Sequence, residues 1–529
     1  MCGIAVAIDW EGADDAVRGM IRDILHRGDV TDPIISPRAN TAMCTRRLRI
    51  VDAENAVQPQ VSYDGRLLVT FNGEIYNHGE LREELIALGV KFRTQSDTEV
   101  LANALQVWGA KAFAKLNGMY AFVALDIQSG EFLAARDPFG VKPLYLIQSG
   151  SGYLFCSEIA PLLNAASSGD VLLLPPGYLL TRKICAAYRT RLREPFAGTA
   201  DNDARALDRI LSDAIGRRIP PNLPVATLLS GGIDSTLVAH YARRFRADIP
   251  GYFLGSPSAP DFKYVSCYAE KNGTDLRIVP FDEDSDENFH LIGDVVSATE
   301  SFEPNVVRGA LCSYLISRKI HEDGFRVALC GEGADELFCG YLPLEYGFLE
   351  SNETGRGIRE ECLEMMHRTS LQRVDRSSMR FQLEVREPFL DIEVAAHGLD
   401  LAASALVRTA NGKPVGKRPL RDLYNLYPDQ LPALVRDRQK VPFDEGAGLG
   451  LNAAGSAFMQ RFEEAISDAD FADGQREFRD FDIQTKEELY YMWKLTEKMD
   501  VRRVPHMRDR TRISIPNALQ SKPLPRAVT

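Results

Sequence analysis

The sequence predicts two domains of different class: an α+β N-terminal domain of stacked antiparallel sheets, then an α/β domain built on a parallel sheet. Three observations carry this reading. The chain has 529 residues, too many for one hydrophobic core. Residues 2 to about 190 read as short β segments separated by turn signals. Beyond about residue 195 the texture changes to strand–glycine turn–helix units.

In the first region, Arg66–Phe71, Met119–Leu125 and Glu131–Ala135 have strand character. One helix is predicted from His78 to Leu88, with Leu81, Leu85 and Leu88 on one face. Phe196–Asp203 is a polar, small-residue stretch that reads as a linker ending in a helix cap. Leu207, Ile210, Leu211, Ala214 and Ile215 then recur at helical spacing. Val225–Leu229 is a continuous apolar run suited to a buried parallel strand, and Arg326–Cys330 is a second. Both lead into glycine-rich turns. Pro516–Thr529 has no periodicity and reads as a loose tail. The expected division is therefore 2–195, 196–515 and 516–529.

Hydrophobic residues make up 45% and charged residues 26%, ordinary for a globular protein. No stretch approaches the ~20 apolar residues of a membrane span. The N-terminus lacks the basic region and cleavage site of a secretory signal. A net charge of −12 argues against nucleic acid as a partner. Nine cysteines without CxxC spacing argue against zinc and against a disulfide framework, so a reducing, cytoplasmic location is expected. All except Cys2 are expected to be small buried side chains.

Cys2 has special chemistry available. Removal of Met1 would leave a free α-amine, of ordinary pKa ~7.7–8.0, beside the thiol as its general base. Met1-Cys2-Gly3-Ile4 resembles the start of class II glutamine amidotransferases, which are N-terminal nucleophile hydrolases. Four further segments, in the same order, share the resemblance: Arg46–Asp52, Phe71–Asn77, Ser96–Glu99 and Arg136–Tyr145. The resemblance implies that Arg47 grips the glutamine carboxylate and Asp97 its ammonium, with Glu74 alongside. Asn72 and the Gly73 N–H would form the oxyanion hole. Arg46, Arg49 and Asp137 read equally well as structural ion pairs. Where the family has His-Arg-Gly-Pro-Asp, this chain has His26-Arg27-Gly28-Asp29.

Leu229-Ser230-Gly231-Gly232-Ile233-Asp234-Ser235 lies where a strand meets a helix, a place suited to phosphate. It resembles the pyrophosphate loop of N-type ATP pyrophosphatases, which implies cleavage of ATP to AMP and pyrophosphate. Gly331–Tyr341 resembles the second fingerprint of the asparagine synthetase C-terminal domain. Together these imply that Leu229, Ser230, Gly231, Gly232, Asp234, Ser235, Leu254, Gly331 and Glu332 hold ATP. Asp234 and Asp335 would hold Mg²⁺ against pyrophosphate. Glu332 and Tyr341 would face the reacting acyl group, and Lys440, in Leu431–Phe443, would neutralise transition-state charge. Glu384–Asp391 resembles a family segment ending Val-Pro-Phe-Leu-Asp and reads as scaffold with a candidate substrate contact.

What the resemblance implies is a glutamine-dependent ligase of the asparagine synthetase family. Ammonia released at Cys2 would pass internally to an acyl-adenylate in the second domain. Aspartate is the family's usual acceptor, and homodimers are common in it. Two departures keep a different carboxylate acceptor open. Phe253-Leu254-Gly255 stands for Ser-Ile-Gly, and Asn305-Val306-Val307-Arg308 for Thr-Thr-Ile-Arg, so Arg308 remains for the acceptor while hydroxyl donors are lost. A glutaminase with a non-synthetic ATP-sensing domain is a third reading, opposed by Asp234, Asp335 and Lys440.

Overall fold

The computed structural model describes residues 2–188, 192, 196, 198–281, 286–410, 412–440 and 456–510. The tail from 516, Val441-Pro442-Phe443 and the expected boundary at residue 195 lie outside these residues.

Two antiparallel sheets form the first part. One runs in the order Leu172–Leu173, Tyr145–Ser149, Gly152–Cys156, Gly3–Ile8, Thr41–Arg47 and Val30–Thr31, with Ile35–Arg38 also paired to Thr41–Arg47. The other runs Cys185–Ala187, Tyr178–Leu180, Phe132–Arg136, Gly118–Asp126, Leu67–Ile75 and Gln60–Val61. Side chains alternate across a strand, so each sheet has an inner and an outer face. The inner faces meet through Ile4, Val6, Ile8, Leu68, Val123 and Phe155. Ala13–Asp23 and Ile159–Ala165 cover the outer face of the first sheet, and His78–Ala87 and Asp97–Trp108 that of the second. The helix predicted at His78 thus forms and buries Leu81 and Leu85. Leu88 caps its end and is exposed, because the chain leaves the helical path before its side chain can join the face.

The second part carries a five-stranded parallel sheet in the order Leu276–Val279, Gly251–Leu254, Val225–Leu228, Val327–Leu329, Glu384–Arg386. Both apolar runs singled out in the sequence are its central strands. Asp203 caps the helix Ala204–Arg217 by accepting the amides of Arg205 and Ala206. That helix and Ile233–Phe245 pack on one face, and Pro304–Glu322, Ser370–Met379 and Lys486–Thr496 on the other. The cluster on this second face runs without a break into the outer core of the first antiparallel sheet.

The cysteine expectation needs correction. Cys185 is exposed and Cys267 half-buried, while the other seven are buried. Cys185 lies on the short edge strand Cys185–Ala187, where one face meets solvent. Among the described residues no helix is long and apolar enough to cross a membrane.

Candidate active sites

Cys2 immediately precedes the strand Gly3–Ile8, at the end of the sheet-on-sheet core. Its N–H donates to Asn72 Oδ1 at 2.9 Å, and its carbonyl accepts from Arg27 Nε at 3.1 Å. Burial pushes its thiol up to about 11, although positive charge at the N-terminus and Arg47 oppose the shift. Asn72 sits mid-strand, and its Nδ2 is buried with no hydrogen-bond partner among the described residues, a donor left for a ligand. Gly73 has φ +154°, and a Cβ there would stand 2.0 Å from the Met119 carbonyl oxygen. Only glycine tolerates this conformation and so close an approach of the neighbouring strand.

Asp97 opens the helix Asp97–Trp108 and accepts the Ile75 amide at 3.0 Å. Burial raises its carboxyl, and that of Glu74 further still. Glu74 is paired with Arg386 of the parallel sheet at 3.0 Å. Arg386 in turn holds Glu384 at 2.6 Å. The second domain therefore contributes charge to the Cys2 site. Burial pushes the Glu384 carboxyl up, but positive charge at the N-terminus and Arg386 outweigh it and hold it at about 2. Arg47, expected to grip the glutamine carboxylate, is bidentate on Asp32, at 2.8 and 3.0 Å. Arg49 pairs with Asp29. Asp137 accepts the amides of Phe139, Val141 and Lys142, a structural role.

The second site opens at the C-terminal ends of the parallel strands, where such sheets bind ligands. A cavity of about 720 Å³ is lined by Leu229, Ser230, Asp234, Ser235, Leu254, Gly331, Glu332, Asp335, Tyr341 and Lys440, among others. Gly232 caps the helix Ile233–Phe245. Gly231 has φ +73°, and a Cβ there would come within 2.9 Å of the Val265 amide. Ser235 Oγ accepts the Ser230 amide at 3.2 Å and so closes the loop.

Asp234 and Asp335 converge on one cation that the sequence reading missed. Lys417 Nζ lies 2.5 Å from Asp234 and 2.6 Å from Asp335, and Lys440 reaches Asp335 at 2.8 Å. Against the cost of burial, the two lysines hold Asp335 well below the carboxylate range, while burial keeps Asp234 raised. Among the described residues Asp234 Oδ1 is buried without a hydrogen-bond partner. Arg438, also missed, ties Gly231 O at 2.9 Å to Asp261 at 2.7 Å.

Glu332 pairs with Arg373 at 2.5 Å, and Tyr341 Oη donates to Glu336 at 2.9 Å. Arg308 lines the cavity but is paired with Glu487, Nε to Oε1 at 2.7 Å. Asn305 lines it too. Val306 and Val307 are buried on the core side of the same helix. The two threonines of the resembling family pattern fall at 305 and 306. Asn305 keeps a polar side chain on the cavity wall, whereas Val306 is buried away from it, so only the change at 305 bears on the acceptor.

Both halves have counterparts among known proteins. The glutamine amidotransferase domain family matches residues 1–172, and the asparagine synthase family matches 206–364 and 350–496. A probable asparagine synthetase (glutamine-hydrolyzing) of Schizosaccharomyces pombe is 30% identical, over 94% of this chain and 93% of its own. Asparagine synthetase (glutamine-hydrolyzing) 2 of Lotus japonicus is 31% identical, over 85% and 78%. One from Dictyostelium discoideum is 29% identical, over 93% and 92%. With both halves matched in order and relatives aligned over most of its length, the chain belongs to the glutamine-hydrolysing asparagine synthetase family.

Proposed function

We propose that this chain makes asparagine from aspartate, with glutamine as nitrogen donor and ATP cleaved to AMP and pyrophosphate. Residues 2–195 are the glutaminase domain, 196–515 the synthetase domain and 516–529 a tail. One observation supports this most. The strand Glu384–Arg386 meets the Cys2 surroundings through Glu384 and Arg386. Its neighbour Val327–Leu329 leads directly into the Glu332 loop. The relatives' names favour aspartate over another carboxylate acceptor.

At neutral pH a thiol pushed up to about 11 is protonated, so a base must take its proton. Loss of Met1 would provide the α-amine for this. Sγ then attacks the glutamine amide carbon, while Asn72 Nδ2 and the Gly73 N–H steady the oxyanion. The C–N bond breaks as the α-ammonium returns its proton to the leaving ammonia, and water cleaves the thioester to glutamate. Asp97 and Glu74 hold the ammonium end of glutamine, and Arg47, bidentate on Asp32, offers its remaining N–H donors to the carboxylate end. An internal route keeps ammonia from being protonated in water.

In the second domain the Ser230–Ser235 loop takes the pyrophosphate, and Lys440 and Lys417 offset its charge. Asp234 and Asp335, which Lys417 already joins, are the carboxylates that would hold Mg²⁺. Among the described residues Asp234 Oδ1 is buried and unpartnered, and two carboxylates plus phosphate oxygens are a donor set this ion favours. When bound it would neutralise charge on the leaving group. Arg308, Tyr341 and Glu332 border the acceptor. Free cysteines suit a cytoplasmic setting, and the assembly proposed is a homodimer.

The test is an assay with glutamine, ATP and a panel of carboxylic acids. Equal yields of glutamate, asparagine, AMP and pyrophosphate with aspartate are expected. Pyrophosphate release with another acid and none with aspartate would overturn the acceptor.

A further inference from the structure

Glu387 follows the strand Glu384–Arg386 at the junction of the two domains. The amide of Cys330 binds the Arg386 carbonyl at 3.0 Å, which sets Glu387 beside the start of the Glu332 loop. The Cys330 thiol feels both Glu387 and Glu332. Three residues back on the same strand, Glu384 is within electrostatic reach of the Cys2 thiol. Three strand residues span about 10 Å, so this segment leads from one reacting centre toward the other.

The Glu387 side chain is an outlier there. The residue is 3% exposed. Among the described residues its carboxylate has no hydrogen-bond donor and no ion-pair partner, unlike Glu74, Glu158, Asp375, Glu384 and Asp391 around it. The charges that reach it are Lys142 from the first domain, Arg218, Asp375 and Glu332. Both cations are engaged elsewhere, Lys142 with Asp375 at 3.5 Å and Arg218 with Asp391 at 2.8 Å. Burial pushes the Glu387 carboxyl up to about 7; Lys142 and Arg218 oppose the shift, and Asp375 and Glu332 add to it. The resembling family segment has valine here, so packing alone does not call for a carboxyl. A buried carboxyl without a donor is costly when ionised unless a cation joins it.

The cation that fits is small, carries several N–H donors and is made in turnover. We propose that Glu387 is a holding site for ammonia on its way from Cys2 to the acyl-adenylate. This rests on the function proposed above. Ammonia arriving at neutral Glu387 takes the carboxyl proton: the O–H bond breaks, an N–H bond forms with the nitrogen lone pair, and an ammonium–carboxylate pair results. The reverse transfer returns the proton to Glu387 and frees neutral ammonia, its lone pair available for the acyl carbon. Glu387 therefore acts on transfer and not on either half-reaction.

The experiment compares wild type with Glu387→Gln, which keeps the shape but cannot exchange the proton, and with Glu387→Asp. Glutamate, asparagine and free ammonia are measured together during turnover of glutamine, ATP and aspartate. In wild type the asparagine-to-glutamate ratio is expected near one. In Glu387→Gln it should fall at least threefold, with the missing nitrogen recovered as free ammonia. Glutamate formation, and asparagine synthesis from ammonium chloride, should each stay within twofold. Glu387→Asp should restore part of the ratio. An unchanged ratio in Glu387→Gln would overturn the proposal, and so would a parallel fall in all three rates. Wild-type protein that makes no asparagine from glutamine, yet makes it from ammonium chloride, would overturn internal transfer itself.

Discussion

Lys417 shows how a single side chain can tie a site together. It lies in the left-handed region at φ 54°, a conformation that costs a non-glycine residue of order 1–3 kcal/mol and persists only where the surroundings impose it. Here its ammonium joins Asp234 and Asp335, both buried. Breaking such a pair from one side costs about 3–5 kcal/mol, because the remaining charges lose their partner. Lys417→Met is therefore expected to melt at a lower temperature in metal-free buffer and to recover in part with millimolar Mg²⁺. No recovery would mean that the two carboxylates do not form a cation site. Asp234→Asn and Asp335→Asn should each lower amide formation on the order of 100-fold, with glutamine hydrolysis unaffected. Unchanged pyrophosphate release in both would remove them from the metal site. The two aspartates were legible in the sequence because each sits in a glycine-rich loop after an apolar strand. Lys417 was not, since nothing in Gly416-Lys417-Arg418-Pro419 marks a ligand. Its partner Asp234 is 183 positions away.

The helix Ser370–Met379 is the element that most defeats a reading from periodicity. Its buried face carries Asp375 and Arg376, where a one-domain pattern would have apolar residues. The reason lies in the other domain. Arg27 binds Asp375 at 2.9 Å, and Glu158 meets Arg27 at 3.0 Å and Arg376 at 3.2 Å. Arg373, on the same helix, holds Glu332. Side chains that look solvated in sequence are covered only when the domains dock. Hydrophobic periodicity sees one chain segment at a time, so it found the strands and the helix at His78 but not this junction.

An acid-dependent outcome follows from the junction. Burial pushes Asp375 up, but Arg27, Lys142 and Arg376 outweigh it and hold the carboxyl below its ordinary value of 3.8. A carboxyl depressed by folding stabilises the protein above its unfolded pKa. That contribution is lost as pH falls below about 4. Wild-type melting temperature should therefore drop between roughly pH 5 and pH 3, a window around that unfolded value. Asp375→Asn should start about 3–5 kcal/mol less stable at pH 7 and show a shallower drop. An equally steep drop in the variant would assign the acid sensitivity to other carboxylates.

At the scale of the whole molecule, two folds are joined so that each completes the other. The change from antiparallel to parallel sheets falls between Cys185–Ala187 and Ala204–Arg217, where the sequence changes texture. That division was visible because strand alternation and strand–turn–helix units are local patterns. The docking was not visible, because it rests on Arg386 reaching Glu74 and Arg27 reaching Asp375 across the boundary. Cys2 releases the amide nitrogen of glutamine for use at a separate synthetase site. The most direct test of this is Cys2→Ala, assayed for asparagine with glutamine and with ammonium chloride as nitrogen source. Glutamine-driven synthesis should vanish, while ammonium-driven synthesis stays within a few-fold of wild type. Loss of both activities in a folded variant, or survival of the glutamine-driven one, would contradict it.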